Sequence, residues 1–225
     1  MSLPEIVPRA EWRAAREELL EKEKAVTRAL DALRAERRRL PMVPVDREYV
    51  FEGGDGKATL LDLFQGRQQL VVHHFVFDPE WETGCRCCSA FLDQIRHLAH
   101  LHARRTTFTA VSRAPFTRIL PFKARMGWTV PWYSSYPGDF DTDCGVLLEE
   151  DGGTAQRPGV SCFLRDGDRV FHTYSAFGRG LEGLGSATSL LDLTALGREE
   201  PQGRAHAVGA PVAQEHLRYH DEYDD

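Results

Sequence analysis

The sequence lacks long hydrophobic runs. Its apolar stretches span only a few residues, whereas a membrane-spanning helix needs about 20 in succession. The first residues, Met1–Glu5, show no basic region followed by an apolar stretch, so no secretory signal is predicted. We therefore expect no association with a membrane and a cytoplasmic location.

Positive charge is also in short supply. Lys and Arg together number 28 against 34 for Asp and Glu, which gives a net charge of −6. A protein of this balance has no electrostatic means of gathering the phosphates of DNA or RNA. The composition therefore predicts no nucleic-acid partner.

Cysteine is sparse and unevenly placed. There are five cysteines, and three of them lie together in Cys85-Arg86-Cys87-Cys88. The even number and wide spread that mark a disulfide-stapled secreted protein are both missing. In a reducing compartment, such a cluster indicates a redox-active or metal-binding site.

The N-terminal part is expected to be a helical extension over residues 1–45. Within it, residues 10–40 form one predicted helix, because apolar residues recur there at spacings of three and four. Pro8 and Pro41 bracket this segment, as prolines commonly bracket helices. The helix can pack on its own domain, or it can serve as a dimer arm that joins two copies of the chain. The apolar positions are Trp12, Ala15, Leu19, Val26, Leu30, Leu33 and Leu40.

Residues 46–198 alternate between predicted strands and helices. A buried central strand over residues 70–77 is followed by a helix from Ser89 to about Leu101, a second strand and a second helix. A β-hairpin follows across the turn at 166–168, because Asp-Gly is a strong hairpin signal. This order predicts an α/β domain with a mixed sheet of the thioredoxin type, flanked by helices. The polar residues 199–225 are expected to form a flexible tail.

The chemistry is expected at the carboxyl end of the central strand, where sites collect in open α/β sheets. Cys85 and Cys88 form a C-x-x-C pair between that strand and the following helix. A thiol at such a helix N-terminus has its pKa lowered from about 8.5 toward 3.5–7.5. The resulting thiolate attacks a disulfide, and the second cysteine resolves the mixed disulfide.

A metal site is the main alternative for the cluster. Cys85, Cys87 and Cys88 could be joined by a histidine, because thiolates and imidazoles are both zinc ligands. The sequence has no second C-x-x-C and no spaced histidine pair adjoining the three cysteines, so neither a metal nor a cofactor is predicted. The histidines considered for this site are His73, His74 and His172.

Segments along most of the chain, roughly residues 8–198, resemble the bacterial family catalogued as domain of unknown function 899, whose members are described as predicted dithiol–disulfide oxidoreductases. The segments that carry this resemblance are residues 35–41, 49–53, 63–67, 72–88, 111–115, 126–136 and 163–174.

This resemblance implies a thioredoxin-like or peroxiredoxin-like fold with Cys85 and Cys88 as the reactive pair. Family members often carry Pro-Ser between the two cysteines, and this sequence has Arg86-Cys87 instead. Thioredoxins also place a cis-proline opposite the disulfide, for which Pro158 is the nearest candidate.

Four further residues are candidates for auxiliary roles. Trp81 and Trp128 lie beside strand ends, where they can either pack or line a pocket. Arg113 follows the second strand and can either lower a thiol pKa or form a surface ion pair. Cys87 can be an alternative resolving thiol or an incidental substitution.

The sequence thus predicts a thiol–disulfide oxidoreductase. Its partner is expected to be a thiol or disulfide substrate, either a protein or a small molecule, and the N-terminal helix allows a homodimer. A thiol peroxidase is the neighbouring alternative, in which the thiolate passes through a sulfenic acid. A metal-binding or redox-sensing module without catalytic activity is the alternative from a different class.

Overall fold

The computed structural model describes residues 4–150, 153–196 and 217–223 of the chain. The chain divides into two units, of which the first ends at Pro41 and the second begins at Met42.

The first unit consists of one long helix, α1, over Arg9–Arg37. This confirms the predicted N-terminal helix. Pro8 stands at its N-cap, and every residue of α1 is exposed or partly exposed. Its ion pairs join residues within the helix, such as Lys24 with Glu21 and Arg34 with Asp31.

The second unit contains the strands, and they fall into one large sheet and one separate hairpin. Within the described residues the strands are β1 (Val43–Pro44), β2 (Val50–Gly53), β3 (Gly56–Thr59), β4 (Gln69–His74), β5 (Thr106–Ser112), β6 (Trp132–Ser134), β7 (Leu147–Glu150), β8 (Gly153–Gln156), β9 (Gly159–Asp166) and β10 (Arg169–Phe177).

The helices of this unit are short. Within the described residues they are α2 (Leu60–Leu63), α3 (Arg86–Asp93), α4 (Ala99–His102), α5 (Phe116–Arg125), α6 (Phe140–Asp143) and α7 (Ser186–Leu191), with 3-10 helices at Gly178–Leu184 and His220–Glu222. Among the helices described, none is both long enough and apolar enough to cross a membrane.

The large sheet has the order β1-β10-β9-β4-β5-β6-β2-β3. Strands β4, β5 and β6 run parallel to one another, and β9 pairs antiparallel with β4. Strand β10 completes a hairpin with β9 through a tight turn in which Gly167 adopts a positive φ of 61°, a conformation that favours glycine. A parallel core joined to an antiparallel hairpin, with helices on both faces, is a thioredoxin-like α/β fold.

Each face of the sheet covers its own hydrophobic core, because successive side chains of β4 point to opposite sides. The first core lies under α3 and α5 and includes Phe75, Phe77, Leu92, Ile119, Phe122 and Trp132. The second core lies under α2 and α6 and includes Phe51, Leu63, Phe64, Leu70, Phe140 and Phe163.

The helix that follows the cysteines differs from the prediction of a single helix from Ser89 to about Leu101. It begins earlier, at Arg86, and it breaks into α3 and α4 after Asp93. The side chain of Gln94, the residue at the break, accepts a hydrogen bond from the backbone N–H of Ala187 at 2.6 Å. The helix therefore ends where Gln94 contacts a segment that lies more than 90 residues further along the chain. Cys87 and Cys88 consequently lie in the first turn of α3.

Most of the predicted tail, residues 199–225, lies outside the described residues. The exception is the segment 217–223, whose Tyr219 is buried against the first core. These seven residues therefore depart from the expectation of a loosely held tail.

Candidate active site

Between the end of β4 and the start of α3, two cysteines are hydrogen-bonded to the backbone of the same residue, Val76. The N–H of Cys85 donates to the Val76 carbonyl at 2.9 Å, and the N–H of Val76 donates to the Cys88 sulfur, 3.4 Å away. Cys85 is the N-cap residue of α3. The two cysteines of the C-x-x-C pair are thus fixed at the carboxyl edge of the sheet, as the sequence predicts.

The three clustered cysteines differ in exposure. Cys88 is buried, with 1% of its surface accessible, whereas Cys85 and Cys87 are partly exposed. The five cysteines all lie within the described residues, and none of them forms a disulfide in this structure. Cys85 is therefore open to a substrate while Cys88 lies beneath it.

Cys85 lies at the start of α3, next to the thiols of Cys87 and Cys88 and the backbone N–H groups of the first turn. The thiol of Cys87 and then that of Cys88 lower the pKa of Cys85 well below that of a free thiol, and backbone N–H groups of α3 add to the effect. These donors outweigh the burial that would otherwise raise the pKa. The same bonds stabilise the anion of Cys85 in preference to its neutral form.

The two donor thiols respond in the opposite direction. The hydrogen bond to Cys85 raises the pKa of Cys87, and burial adds to that rise. For Cys88 burial is the larger cause, and the bond and charge of Cys85 add to it. The negative charge of the cluster therefore resides on Cys85.

Gly84, next to Cys85, lies tightly against the first core. A Cβ atom there would stand 2.4 Å from Cε1 of Phe75 and 3.0 Å from Cε1 of Phe122. Both rings belong to the packed core. Only glycine, which has no Cβ atom, therefore fits at position 84 without displacing them.

His73 lies on the cysteine side of the sheet. Its ring packs on Phe91 of α3 with centroids 4.6 Å apart, and its Nδ1 lies 3.2 Å from the Gly159 carbonyl. Burial lowers the pKa of His73 to about 3, so its imidazole is neutral at physiological pH. Its Nε2 is buried and has no hydrogen-bond partner among the described residues.

His74 points to the opposite face. Its Nε2 lies 2.8 Å from the Ser161 hydroxyl, and its Nδ1 lies 3.7 Å from a carboxylate oxygen of the buried Asp141. His172 is bonded to the Ser175 hydroxyl at 2.8 Å. Within the described ranges no group of three or more Cys, His, Asp or Glu side chains is placed to hold a metal ion.

The two tryptophans named as candidates from the sequence, Trp81 and Trp128, differ from each other in their surroundings. Trp128 packs against Phe75 and Trp132, and its indole N–H donates to Asp93 at 2.7 Å, so it is part of the first core. Trp81 is exposed over 45% of its surface, and its carbonyl accepts a hydrogen bond from Arg118.

Arg113 follows β5, whose carboxyl end lies beside that of β4, and its side chain is partly buried. The causes identified for the low pKa of Cys85 are thiols and backbone N–H groups, and this arginine is not one of them. Roles for Trp81 and Arg113 in the reaction remain predictions.

Pro158 stands directly before β9, whose first residue pairs with His74 at the end of β4. It is therefore at the expected edge of the sheet, but its peptide bond is trans. The cis bond found in the described residues precedes Pro137 instead.

Tyr219 was not among the candidates predicted from the sequence. Its hydroxyl donates to the Gly84 carbonyl at 2.5 Å and lies 3.0 Å from the Thr83 hydroxyl. Both partners lie in the loop that leads to Cys85. The one available signal was the presence of two tyrosines in an otherwise polar, aperiodic terminal stretch.

Comparison with known families gives one match. A sequence model of the family described as "Bacterial protein of unknown function (DUF899)" matches residues 1–223. A search of curated protein sequences found no match.

Several solved structures are similar to the chain at low sequence identity. Peroxidoxin BcpB from Mycobacterium tuberculosis is 17% identical, with a TM-score of 0.45 over 61% of this chain and 84% of its own. A cysteine-to-serine variant of peroxiredoxin Q from Xanthomonas campestris is 15% identical, with a TM-score of 0.41 over 59% and 80%. A Chlorobium tepidum protein assigned as the thiol:disulfide interchange protein DsbE is 17% identical, with a TM-score of 0.42 over 70% and 99%.

Proposed function

We propose that this chain, which belongs to the DUF899 family of bacterial proteins, is a thiol–disulfide oxidoreductase that uses Cys85 as the attacking thiolate and Cys88 as the resolving thiol. The observation that carries the proposal is the placement of Cys85, partly exposed at the N-cap of α3, whose first turn holds the buried Cys88. The neighbouring thiols also lower the pKa of Cys85.

In the first step the Cys85 thiolate attacks one sulfur of a substrate disulfide. A bond forms between Cys85 and that sulfur, the substrate S–S bond breaks, and the departing thiolate takes a proton from solvent. Cys85 is suited to this role because its low pKa keeps it ionised near neutral pH.

In the second step Cys88 resolves the mixed disulfide. Once Cys85 is covalently bound, its negative charge is gone, and with it the part of the Cys88 pKa rise that this charge and hydrogen bond cause. Cys88 then loses its proton and attacks the Cys85 sulfur, which releases the second substrate thiolate. The substrate gains two electrons, and the protein is left with a Cys85–Cys88 disulfide.

Cys87 acts as a hydrogen-bond donor in this scheme. Its thiol stabilises the Cys85 anion before attack, and its own pKa is raised by that same bond. Cys88 shares this donor role, but it also accepts a hydrogen bond from the Val76 N–H, which works to lower its pKa. A resolving thiol must ionise, and this bond therefore favours Cys88 as the resolver.

A thiol peroxidase is the second candidate, because the same exposed thiolate at Cys85 can attack a peroxide oxygen and become a sulfenic acid. Cys88 would then form the disulfide with loss of water. The two activities differ in the substrate that oxidises the protein, so disulfide and hydrogen peroxide assays separate them.

The setting of the protein forms part of the proposal. A reduced cysteine cluster suits a cytoplasmic location, where thiols are kept reduced.

The long helix α1 exposes apolar residues that recur every seven positions at Trp12, Leu19, Val26 and Leu33. A seven-residue repeat is the pattern of helices that pair side by side, and we take a second copy of this chain as the partner.

The test is disulfide reduction by single cysteine variants, measured with a small disulfide and a protein disulfide as substrates. We expect Cys85→Ser to abolish activity, Cys88→Ser to accumulate a mixed disulfide on Cys85, and Cys87→Ser to retain most activity. Cys162→Ser is the matched control, since this cysteine lies on β9 outside the cluster. Full activity of Cys85→Ser would overturn the proposal.

A further inference from the structure

The C-terminal segment Arg218–Tyr223 lies against the loop that carries the attacking cysteine. Tyr219 is 6% exposed, and its ring meets Phe122 edge-on with centroids 5.6 Å apart. Its hydroxyl donates to the Gly84 carbonyl at 2.5 Å. The loop residues Thr83 and Gly84 thus contact the Tyr219 hydroxyl, and Gly84 also lies against the rings of Phe75 and Phe122.

The segment is anchored to α5 by ion pairs. Arg125 of α5 makes two hydrogen bonds to the Asp221 carboxylate, at 2.7 and 2.9 Å, and a third to Glu222 at 3.1 Å. The guanidinium of Arg125 also lies over the Tyr219 ring, 5.1 Å from its centroid.

The segment also contacts both the first and the last turn of α3. At the first turn, the guanidinium of Arg86 lies 5.5 Å from the Tyr219 centroid and 3.9 Å from a Glu222 oxygen. At the last turn, His220 Nδ1 lies 2.7 Å from Asp93. Arg86, which stands between the two cysteines of the pair, therefore has a partner in this segment.

We infer that Tyr219 is a positioning residue for the attacking thiol: by holding the Gly84 carbonyl, it fixes the loop so that the Cys85 sulfur stays within reach of the Cys87 and Cys88 thiols. This inference rests on the proposed function, because it concerns the thiolate on which that function depends.

The physical reason is the steep dependence of hydrogen bonds on distance and angle. The bonds that stabilise the Cys85 anion come from groups in the first turn of α3, whereas Cys85 itself is the last residue of the loop. A small displacement of the loop relative to the helix weakens all of these bonds together. The hydroxyl of Tyr219 limits that displacement by holding the Gly84 carbonyl, and it does so without contacting the sulfur of Cys85 or Cys88.

The test compares Tyr219→Phe with Tyr223→Phe. Both changes delete one hydroxyl from the same segment, but the Tyr223 hydroxyl accepts from the Arg218 N–H and does not bond to the loop. The measurement is the rate of iodoacetamide labelling of Cys85 between pH 3 and pH 9, followed by peptide mass spectrometry. We expect the midpoint for Tyr219→Phe to rise by about one pKa unit, a tenfold change in the ionisation constant, and that of Tyr223→Phe to match the wild type.

A second variant, Asp221→Asn, loosens the anchor on Arg125 and keeps the Tyr219 hydroxyl. It should shift the midpoint in the same direction by a smaller amount, and it carries the test if Tyr219→Phe fails to fold. A wild-type midpoint in both variants, or in Asp221→Asn alone when Tyr219→Phe is unfolded, would overturn the inference. If the wild-type midpoint itself is that of an ordinary thiol, near pH 8.5, the proposed function fails instead.

Discussion

Among single residues, Gly84 and Cys85 show how much of the site depends on backbone placement. The C-x-x-C spacing and its position after a strand indicated Cys85 and Cys88 as candidates from the sequence alone. The requirement for glycine at position 84 was not, because it arises from Phe75 and Phe122, which approach from other elements. Tyr219 was missed for the same reason, since its partners lie more than 130 residues away.

The close approach at Gly84 gives a prediction about stability. Gly84→Ala places a Cβ against the Phe75 and Phe122 rings, and overpacking of this kind costs about 1–3 kcal/mol of the free energy of unfolding. The loss is measured by urea denaturation. Gly54→Ala is the control, because a Cβ there has no atom within 4 Å and a surface change costs about 0.5 kcal/mol or less. Equal stabilities of the two variants would refute the packing argument.

At the level of secondary structure, the spacing of apolar residues predicted the long helix α1 and the central strands. It did not predict the short strands at the edges of the sheet. The helix α1 and the strands β4 and β5 follow clear patterns of apolar residues. Strands β1 and β3 span only 2 and 4 residues, too few for a recognisable alternation. The break between α3 and α4 was missed because it coincides with contacts from Gln94 to residues of a distant segment.

The exposed repeat of α1 predicts a dimer in solution. Val26 is 58% exposed, and we expect Val26→Lys to convert a dimer into a monomer by placing a charge in the apolar stripe. Ala25→Lys adds the same charge one residue away, off the stripe, and should leave the dimer intact. Sedimentation equilibrium makes the comparison. A full-length wild-type protein that sediments as a monomer would exclude this use of the helix.

For the whole molecule, the order of elements predicted the topology. A strand–helix–strand unit followed by a hairpin leads to a parallel core with an antiparallel edge, and the structure has both in β4–β5 and β9–β10. The site, however, is completed by a segment from the far end of the chain. Contacts between distant segments have no local pattern, so the role of residues 217–223 became visible only in three dimensions.

The most direct test of the account is the linkage formed when the protein is oxidised. Adjacent Cys87 and Cys88 cannot join without strain, and Cys85 with Cys87 would close a ring one residue smaller. We therefore predict that mass spectrometry of a non-reducing digest finds Cys85 joined to Cys88, with Cys87 as a free thiol. A dominant Cys85–Cys87 disulfide, together with loss of activity in Cys87→Ser, would contradict the assignment of Cys88 as the resolving thiol.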